Sequence, residues 1–187
     1  SLLARYQDSL KVLPAPSHPD VRERISPTLI SQTLTTLRTM FDYVVVDTAP
    51  AFDEQTLTTL EDADECVIIA TLDVPTLKNV KVALETLDML GVALGHRHLL
   101  LNRADDAVGI GAEKVEAILG MPITAQIATS IDIAAATNAG RPIVASSPDH
   151  PSSRAVRAMA ATLAGQEESE SEDLSDEGNT RRRRKRR

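Results

Sequence analysis

The chain has 187 residues, a formal net charge of −7 and one cysteine, and 42% of its residues are hydrophobic while only 2% are aromatic. One cysteine excludes an intramolecular disulfide, and no apolar run approaches the ~20 residues that a membrane-spanning helix needs. With no signal-peptide pattern at the N-terminus, we predict a cytoplasmic protein with one sizeable core built from Ala, Leu, Ile and Val.

Residues 1–165 alternate between short apolar runs and segments with helical periodicity. The apolar runs predict strands over residues 11–16 (ending at its prolines), 43–47, 66–72, 98–102 and 122–127. The periodic segments predict helices over residues 26–40, 75–90, 111–119, 131–139 and 151–164. Strand–helix alternation of this kind predicts an α/β fold, a doubly wound, mostly parallel sheet with helices on both faces.

Residues 166–187 differ in composition from the rest of the chain. They hold seven acidic residues followed by seven consecutive basic ones at 181–187, so the preceding 165 residues carry the whole net charge. A segment so poor in apolar residues is predicted to be disordered. The basic block suits binding to nucleic acid or to an anionic membrane surface, and the alternative is a solvated tail neutralised by its own acidic half.

Polar residues follow three of the predicted strands. Asp47, Asp73 and Asn102 each come directly after an apolar run. A carboxylate at such a strand end can hold Mg²⁺ near a phosphate group, and the alternative is that it caps the next segment's backbone amides.

Other chemically versatile residues predict structural roles. The four histidines lack the spacing of a metal site, and Cys66 begins a buried run, where packing outweighs nucleophilic catalysis. Lys78 and Lys81 are expected on the solvated face of a helix. No catalytic residue is assigned.

Several segments, taken in order, resemble MinD/ParA-type P-loop ATPases, and especially their CpaE/TadZ-like branch. Residues 41–50 (FDYVVVDTAP) are similar to the Walker B and switch II stretch of that family. Matching segments follow at residues 63–71, 74–77, 99–103 and 140–144, so the resemblance covers about residues 10–163. It implies one partial ATPase domain over residues 1–165, incomplete at its N-terminus.

The resemblance also implies site residues. Asp47 matches the Walker B carboxylate that holds Mg²⁺ through water, and Asn102 matches the family's strand-end Asn-Arg motif, whose amide reads adenine. Arg103, Ala128 and Thr129 fall in the segments that surround the base, although relatives commonly have Pro at the position of Ala128. The implied cofactors are ATP and Mg²⁺.

The chain departs from the family in one element. The Gly-rich loop that ends in Lys-Thr or Lys-Ser occurs nowhere in it, and residues 109–114 (GIGAEK) lack the required spacing. Without that loop, hydrolysis by this chain alone is not expected.

Three hypotheses about function follow. The first is part of an ATP-driven spatial-positioning switch for pilus assembly, polar localisation or partitioning, acting as a homodimer with a protein partner, in the cytoplasm or at the periphery of the inner membrane. The second is a non-catalytic scaffold of the same fold. The third is binding of nucleic acid or anionic membrane through residues 181–187.

Overall fold

The structure is a computed structural model that describes residues 2–7, 9–16, 18, 24–92, 95–105 and 110–165. The chain divides into two compact units between Asp64 and Glu65. The predicted disordered tail, residues 166–187, lies outside the described residues.

The N-terminal unit contains a two-residue strand pair and two helices. Strands β1 (Ala4–Arg5) and β2 (Lys11–Val12) pair antiparallel. Helices α1 (Pro27–Arg38) and α2 (Glu54–Glu61) contact each other. Ser26 caps α1 by accepting from the Leu29 amide, and Asp53 caps α2 by accepting from the Thr56 amide. These caps satisfy backbone donors that have no partner within their helices.

The predicted strand over residues 43–47 is wrong. Residues 43–49 are irregular, and the side chains of Tyr43 and Val45 are 68% and 93% exposed. A strand exists only where a neighbouring backbone completes its hydrogen-bond ladder. Within the described part of the chain no residue pairs with this segment, so its apolar composition alone does not make it a strand.

The C-terminal unit is built on a parallel sheet. Strands β3 (Cys66–Ala70), β4 (Arg97–Asn102) and β5 (Ile123–Ile127) lie in that order, with Ala70 opposite Leu101 and Asn102 opposite Ile127. The helices are α3 (Val74–Leu90), α4 (Ala112–Leu119), α5 (Ile131–Asn138), α6 (Ile143–Ser146) and α7 (Pro151–Leu163). The strands predicted at residues 66–72, 98–102 and 122–127 are confirmed, as are all five predicted helices, while α2 and α6 were not predicted.

The core of this unit lies between one face of the sheet and two helices. Leu99 and Leu101 on β4 and Val115 on α4 are fully buried, and α3 contributes Leu77 and Leu84 to the same cluster. Alternate strand residues point to opposite faces. On the other face of β3, Ile69 is 58% exposed.

The α/β fold class with a parallel sheet and flanking helices is confirmed. Three of the five predicted strands belong to the parallel sheet. Among the described residues, no helix is both long enough and apolar enough to span a membrane.

Candidate functional site

The carboxyl ends of the three parallel strands bring polar residues to one edge of the sheet. Asn102 ends β4 and lies in register with Ile127, which ends β5 directly before Ala128 and Thr129. In open α/β sheets, ligands bind outside the carboxyl ends of the strands. The structure therefore brings Asn102, Arg103, Ala128 and Thr129 together at the edge where a ligand is expected.

The Asn102 amide is half-buried and partly free. Its Oδ1 accepts a hydrogen bond from the backbone N–H of Arg103 at 3.0 Å. Among the described residues, Nδ2 has no hydrogen-bond partner. An amide oxygen has two lone pairs and an amide nitrogen two donors, so the group can still pair with a planar edge that offers both an acceptor and a donor.

Arg103 adopts a left-handed backbone conformation, with φ of 53°. For a residue with a Cβ this conformation costs on the order of 1–2 kcal/mol, and such residues concentrate at ligand sites. The turn returns the chain to β5, where the Ala104 N–H donates to the Ile127 carbonyl at 2.9 Å. The sequence carries no local signal for this strain, because Arg is not a residue that favours the left-handed region.

Asp105 fixes the segment that follows β5. Its Oδ1 accepts from the Thr129 backbone N–H at 3.2 Å. Sequence reasoning missed this residue, although an acidic side chain three positions beyond a strand end was a visible signal. Because of this bond, the residues after β4 and after β5 form one connected rim.

Asp73, at the end of β3, acts as a helix cap. Its Oδ1 accepts from the Thr76 N–H at 2.9 Å, and its Oδ2 accepts from the Thr71 hydroxyl. The Thr71 hydroxyl first, and then Thr76, hold the pKa of Asp73 below its ordinary value of 3.8. The lowered pKa favours the ionised carboxylate, whose Oδ1 caps α3 while its Oδ2 accepts from Thr71.

Asp47, the predicted Mg²⁺-associated carboxylate, belongs to the N-terminal unit. It is exposed and makes no hydrogen bond or ion pair with any other described residue. Magnesium commonly binds proteins through one or two carboxylates while it keeps several waters and contacts substrate phosphates. A carboxylate with no bond to any other described residue is compatible with such a role, and Asp47 would then hold the ion through water.

Ionisable side chains also meet at the amino ends of β3 and β4. Glu65 Oε2 lies 2.8 Å from His98 Nε2, and Glu65 Oε1 lies 3.5 Å from His96 Nδ1. Burial raises the pKa of the neighbouring Cys66 thiol, which supports its predicted packing role. The described ranges hold no group of three or more His, Cys, Asp or Glu residues placed to bind a metal ion.

Comparison with known sequences gives a distant relative but no family. No family model matches the chain. An uncharacterized ATP-binding protein of Methanocaldococcus jannaschii is 20% identical over 159 residues, which are 84% of this chain. The chain spans 60% of that relative's length.

Several solved structures of ParA and MinD proteins are similar to this chain in fold. A ParA family ATPase from Chlorobium tepidum is similar with a TM-score of 0.78 and 22% identity, over 84% of this chain and 67% of that one. The MinD cell division protein of Aquifex aeolicus has a TM-score of 0.74 and 21% identity, over 88% and 69%. The septum site-determining protein MinD of Pyrococcus horikoshii, solved with Mg-ADP, has a TM-score of 0.69 and 18% identity, over 82% and 63%. The chain therefore has the fold of the ParA and MinD ATPases.

Proposed function

We propose that this chain is part of an ATP-binding switch protein and that the carboxyl edge of its parallel sheet binds the adenine base. The observation that carries the proposal is the position of Asn102 at the end of β4, in register with the end of β5, with an Nδ2 that has no partner among the described residues. The adenine edge offers an amino donor beside a ring-nitrogen acceptor, and an Asn side chain can pair with both.

The other residues of this edge complete the adenine half of the site. Ala128 and Thr129 pass beside the base, held by the bond from Thr129 to Asp105. Arg103 is exposed at the rim and supplies a positive charge. The fold shared with ParA and MinD proteins, one of which was solved with Mg-ADP, supports this assignment.

In the N-terminal unit, Asp47 is proposed to hold Mg²⁺ through water. An ATP-bound magnesium ion supplies charge neutralisation to the phosphates. In the whole protein, we propose a homodimer whose nucleotide state decides where a protein partner of a pilus, polar-localisation or partitioning system assembles, in the cytoplasm or at the periphery of the inner membrane.

Calorimetric titration of the full chain tests the adenine site. We expect Mg²⁺–ATP to bind more tightly than Mg²⁺–GTP, because guanine presents the acceptor O6 where adenine presents its amino donor, and the Asn102 oxygen cannot pair with an acceptor. Asn102→Ala should remove this preference and weaken ATP binding about tenfold, the loss of one to two well-formed hydrogen bonds. Asn79→Ala, which removes an exposed amide from α3, is the matched control and should bind as the wild type does.

Two outcomes would contradict the proposal. Equal affinity of the wild type for ATP and GTP would mean that no side chain reads the base. Equal loss in the Asn102→Ala and Asn79→Ala variants would mean that Asn102 has no particular role.

A second candidate is a non-catalytic scaffold of the same fold. A Gly-rich loop ending in Lys-Thr or Lys-Ser supplies the backbone amides and the charge that bind phosphate in P-loop proteins, and these 187 residues contain none. A folded chain that binds neither ATP nor GTP would support this candidate.

The basic block at residues 181–187 gives a further proposed activity, binding to nucleic acid or to anionic lipid. Removing these seven residues should abolish such binding together with its salt dependence. Unchanged binding after the deletion would show that the block is not responsible.

A further inference from the structure

His150 lies at the start of α7, next to the segment that follows β5. Its side chain is 19% exposed, and its two ring nitrogens contact different elements. Nδ1 accepts from the Ser152 backbone N–H at 3.1 Å, which caps α7. Nε2 lies 3.3 Å from Ser130 Oγ and 3.5 Å from Asp132 Oδ2.

The capping bond determines where the imidazole proton lies. Because Nδ1 accepts a hydrogen bond, the neutral ring carries its proton on Nε2. Nε2 therefore donates toward Ser130 Oγ, with the Asp132 carboxylate beside it. This tautomer excludes a hydrolytic Ser–His–Asp arrangement, in which the nitrogen facing the serine must be free to take the hydroxyl proton.

Ser130 connects His150 to the rim of the candidate site. Its Oγ also accepts from the Asp132 N–H at 3.1 Å and so caps α5. Ser130 directly follows Thr129, whose N–H is bonded to Asp105. The segment of residues 128–130 is thus held from one side by the chain leaving β4 and from the other side by His150.

We propose that His150 is a positioning residue for nucleotide binding. It holds residues 128–130 in place directly after β5, whose last residue, Ile127, is in register with Asn102. The base therefore meets an edge that is already formed. This inference rests on the proposed adenine site, and it assigns to α7 a role in nucleotide affinity. A preformed site binds more tightly because less ordering remains to be done on binding.

Two substitutions separate the two nitrogens of the ring. His150→Asn places an amide oxygen near the position of Nδ1, so it keeps the α7 cap but cannot reach Ser130. His150→Gln places its terminal amide near the position of Nε2, so it keeps the donor to Ser130 but loses the cap. The pair therefore distinguishes positioning of the loop from stability of the helix.

The test is calorimetric titration of the full chain and of both variants with Mg²⁺–ATP, together with their thermal unfolding. His150→Asn should weaken ATP binding about tenfold, the loss of roughly one hydrogen bond, while His150→Gln binds within about twofold of the wild type. The melting temperatures should show the opposite order, because only the Asn variant keeps the cap. If affinity instead follows melting temperature across the three proteins, His150 is merely structural and the inference fails.

Amide hydrogen exchange of Thr129 and Asp132 separates failure of this inference from failure of the adenine site. Faster exchange in His150→Asn than in His150→Gln, in a chain that binds no nucleotide, would confirm the contact and contradict the adenine site. Wild-type binding retained in His150→Asn would leave the adenine site standing and contradict the positioning role.

Discussion

Single side chains at the carboxyl edge of the sheet differ in what their polar atoms already contact. Both carboxylate oxygens of Asp73 accept hydrogen bonds, one from the Thr76 N–H that caps α3 and one from the Thr71 hydroxyl, whereas Asn102 leaves Nδ2 without a partner among the described residues. Each Asp73 oxygen keeps a second lone pair, but the capping bond fixes the carboxylate to the start of α3, whereas Nδ2 of Asn102 is a donor with no bond to any described residue. Asn102, rather than Asp73, is therefore the expected ligand contact at this edge.

The Ser153 hydroxyl is fully buried and should contribute measurably to stability. It lies 3.1 Å from the Ile143 carbonyl and 2.7 Å from the Ser147 carbonyl, both of which precede α7. We expect Ser153→Ala to lower the free energy of unfolding by about 0.5–1.5 kcal/mol, because it removes the hydroxyl's hydrogen bond while the Ile143 and Ser147 carbonyls keep their backbone donors, the N–H groups of Ser147 and His150. Chemical denaturation measures this loss. Ser146→Ala, which removes an exposed hydroxyl, is the control, and an equal loss there would contradict the account.

Glu65 should make stability depend on pH in the acid range. The hydrogen bond with His98 is the main cause that holds the pKa of Glu65 below its ordinary value of 4.5. A lowered carboxyl pKa stabilises the fold above the unfolded-state value, and the contribution is lost as pH falls through the folded-state value. We expect wild type to be more stable than Glu65→Gln above the ordinary carboxyl pKa of 4.5, and the difference to vanish as pH falls below the lowered pKa of the folded state. Denaturant midpoints measured across this range would contradict the prediction if the difference were constant.

Helix ends in the C-terminal unit follow from residues whose local chemistry stops or starts a helix. Asp73 and Ser130 cap α3 and α5, and Gly91 and Gly120 end α3 and α4 in the left-handed conformation. These are local effects that act over three or four residues, so they are visible in the sequence. Helix α2 was missed because its eight residues include three threonines and only two leucines, although Asp53 was a usable capping signal.

Gly91 should be the costlier of two glycines to replace at helix ends. Its φ is 69°, while Gly111, at the start of α4, has a φ of −69° that any residue adopts. An added Cβ meets nothing within 4 Å at either position. The difference in stability between the two alanine variants therefore reports the cost of the backbone conformation and not of a steric clash. We expect Gly91→Ala to destabilise by about 1–2 kcal/mol and Gly111→Ala by less than half of that. Equal losses in thermal unfolding would contradict this explanation.

At the scale of the whole molecule, the C-terminal unit depends on one contiguous core between the sheet and α3 and α4. Leu99 and Leu101 are fully buried in it, whereas Ile69 on the opposite face of the sheet is 58% exposed. Continuous apolar runs predicted strands covered on both faces. Among the described residues, the outer face of β3 departs from that expectation.

The two faces of the sheet should therefore respond differently to truncation. Leu101→Ala should cost about 2–5 kcal/mol in the free energy of unfolding, since it removes buried methyl groups and leaves a cavity. Ile69→Ala should cost less than about 1 kcal/mol, because its side chain has less contact to lose. Denaturant titration of both variants tests this, and comparable losses would mean that Ile69 is covered in solution.

The sequence by itself determined the α/β fold class, three parallel strands, five helices and the strand-end position of Asn102. These features follow from periodicity, apolar runs and capping residues, which act within a few positions along the chain. The same local evidence wrongly predicted a strand over residues 43–47, because composition cannot supply a neighbouring strand.

Only the tertiary structure decided how the rim of the candidate site is held. The bond from Thr129 to Asp105 joins residues 24 positions apart, and the contact of Ser130 with His150 joins residues 20 positions apart. The left-handed turn at Arg103 is likewise imposed by the return of the chain to β5. Such contacts depend on how strands and helices are placed against one another, and no local pattern of residue types encodes that placement.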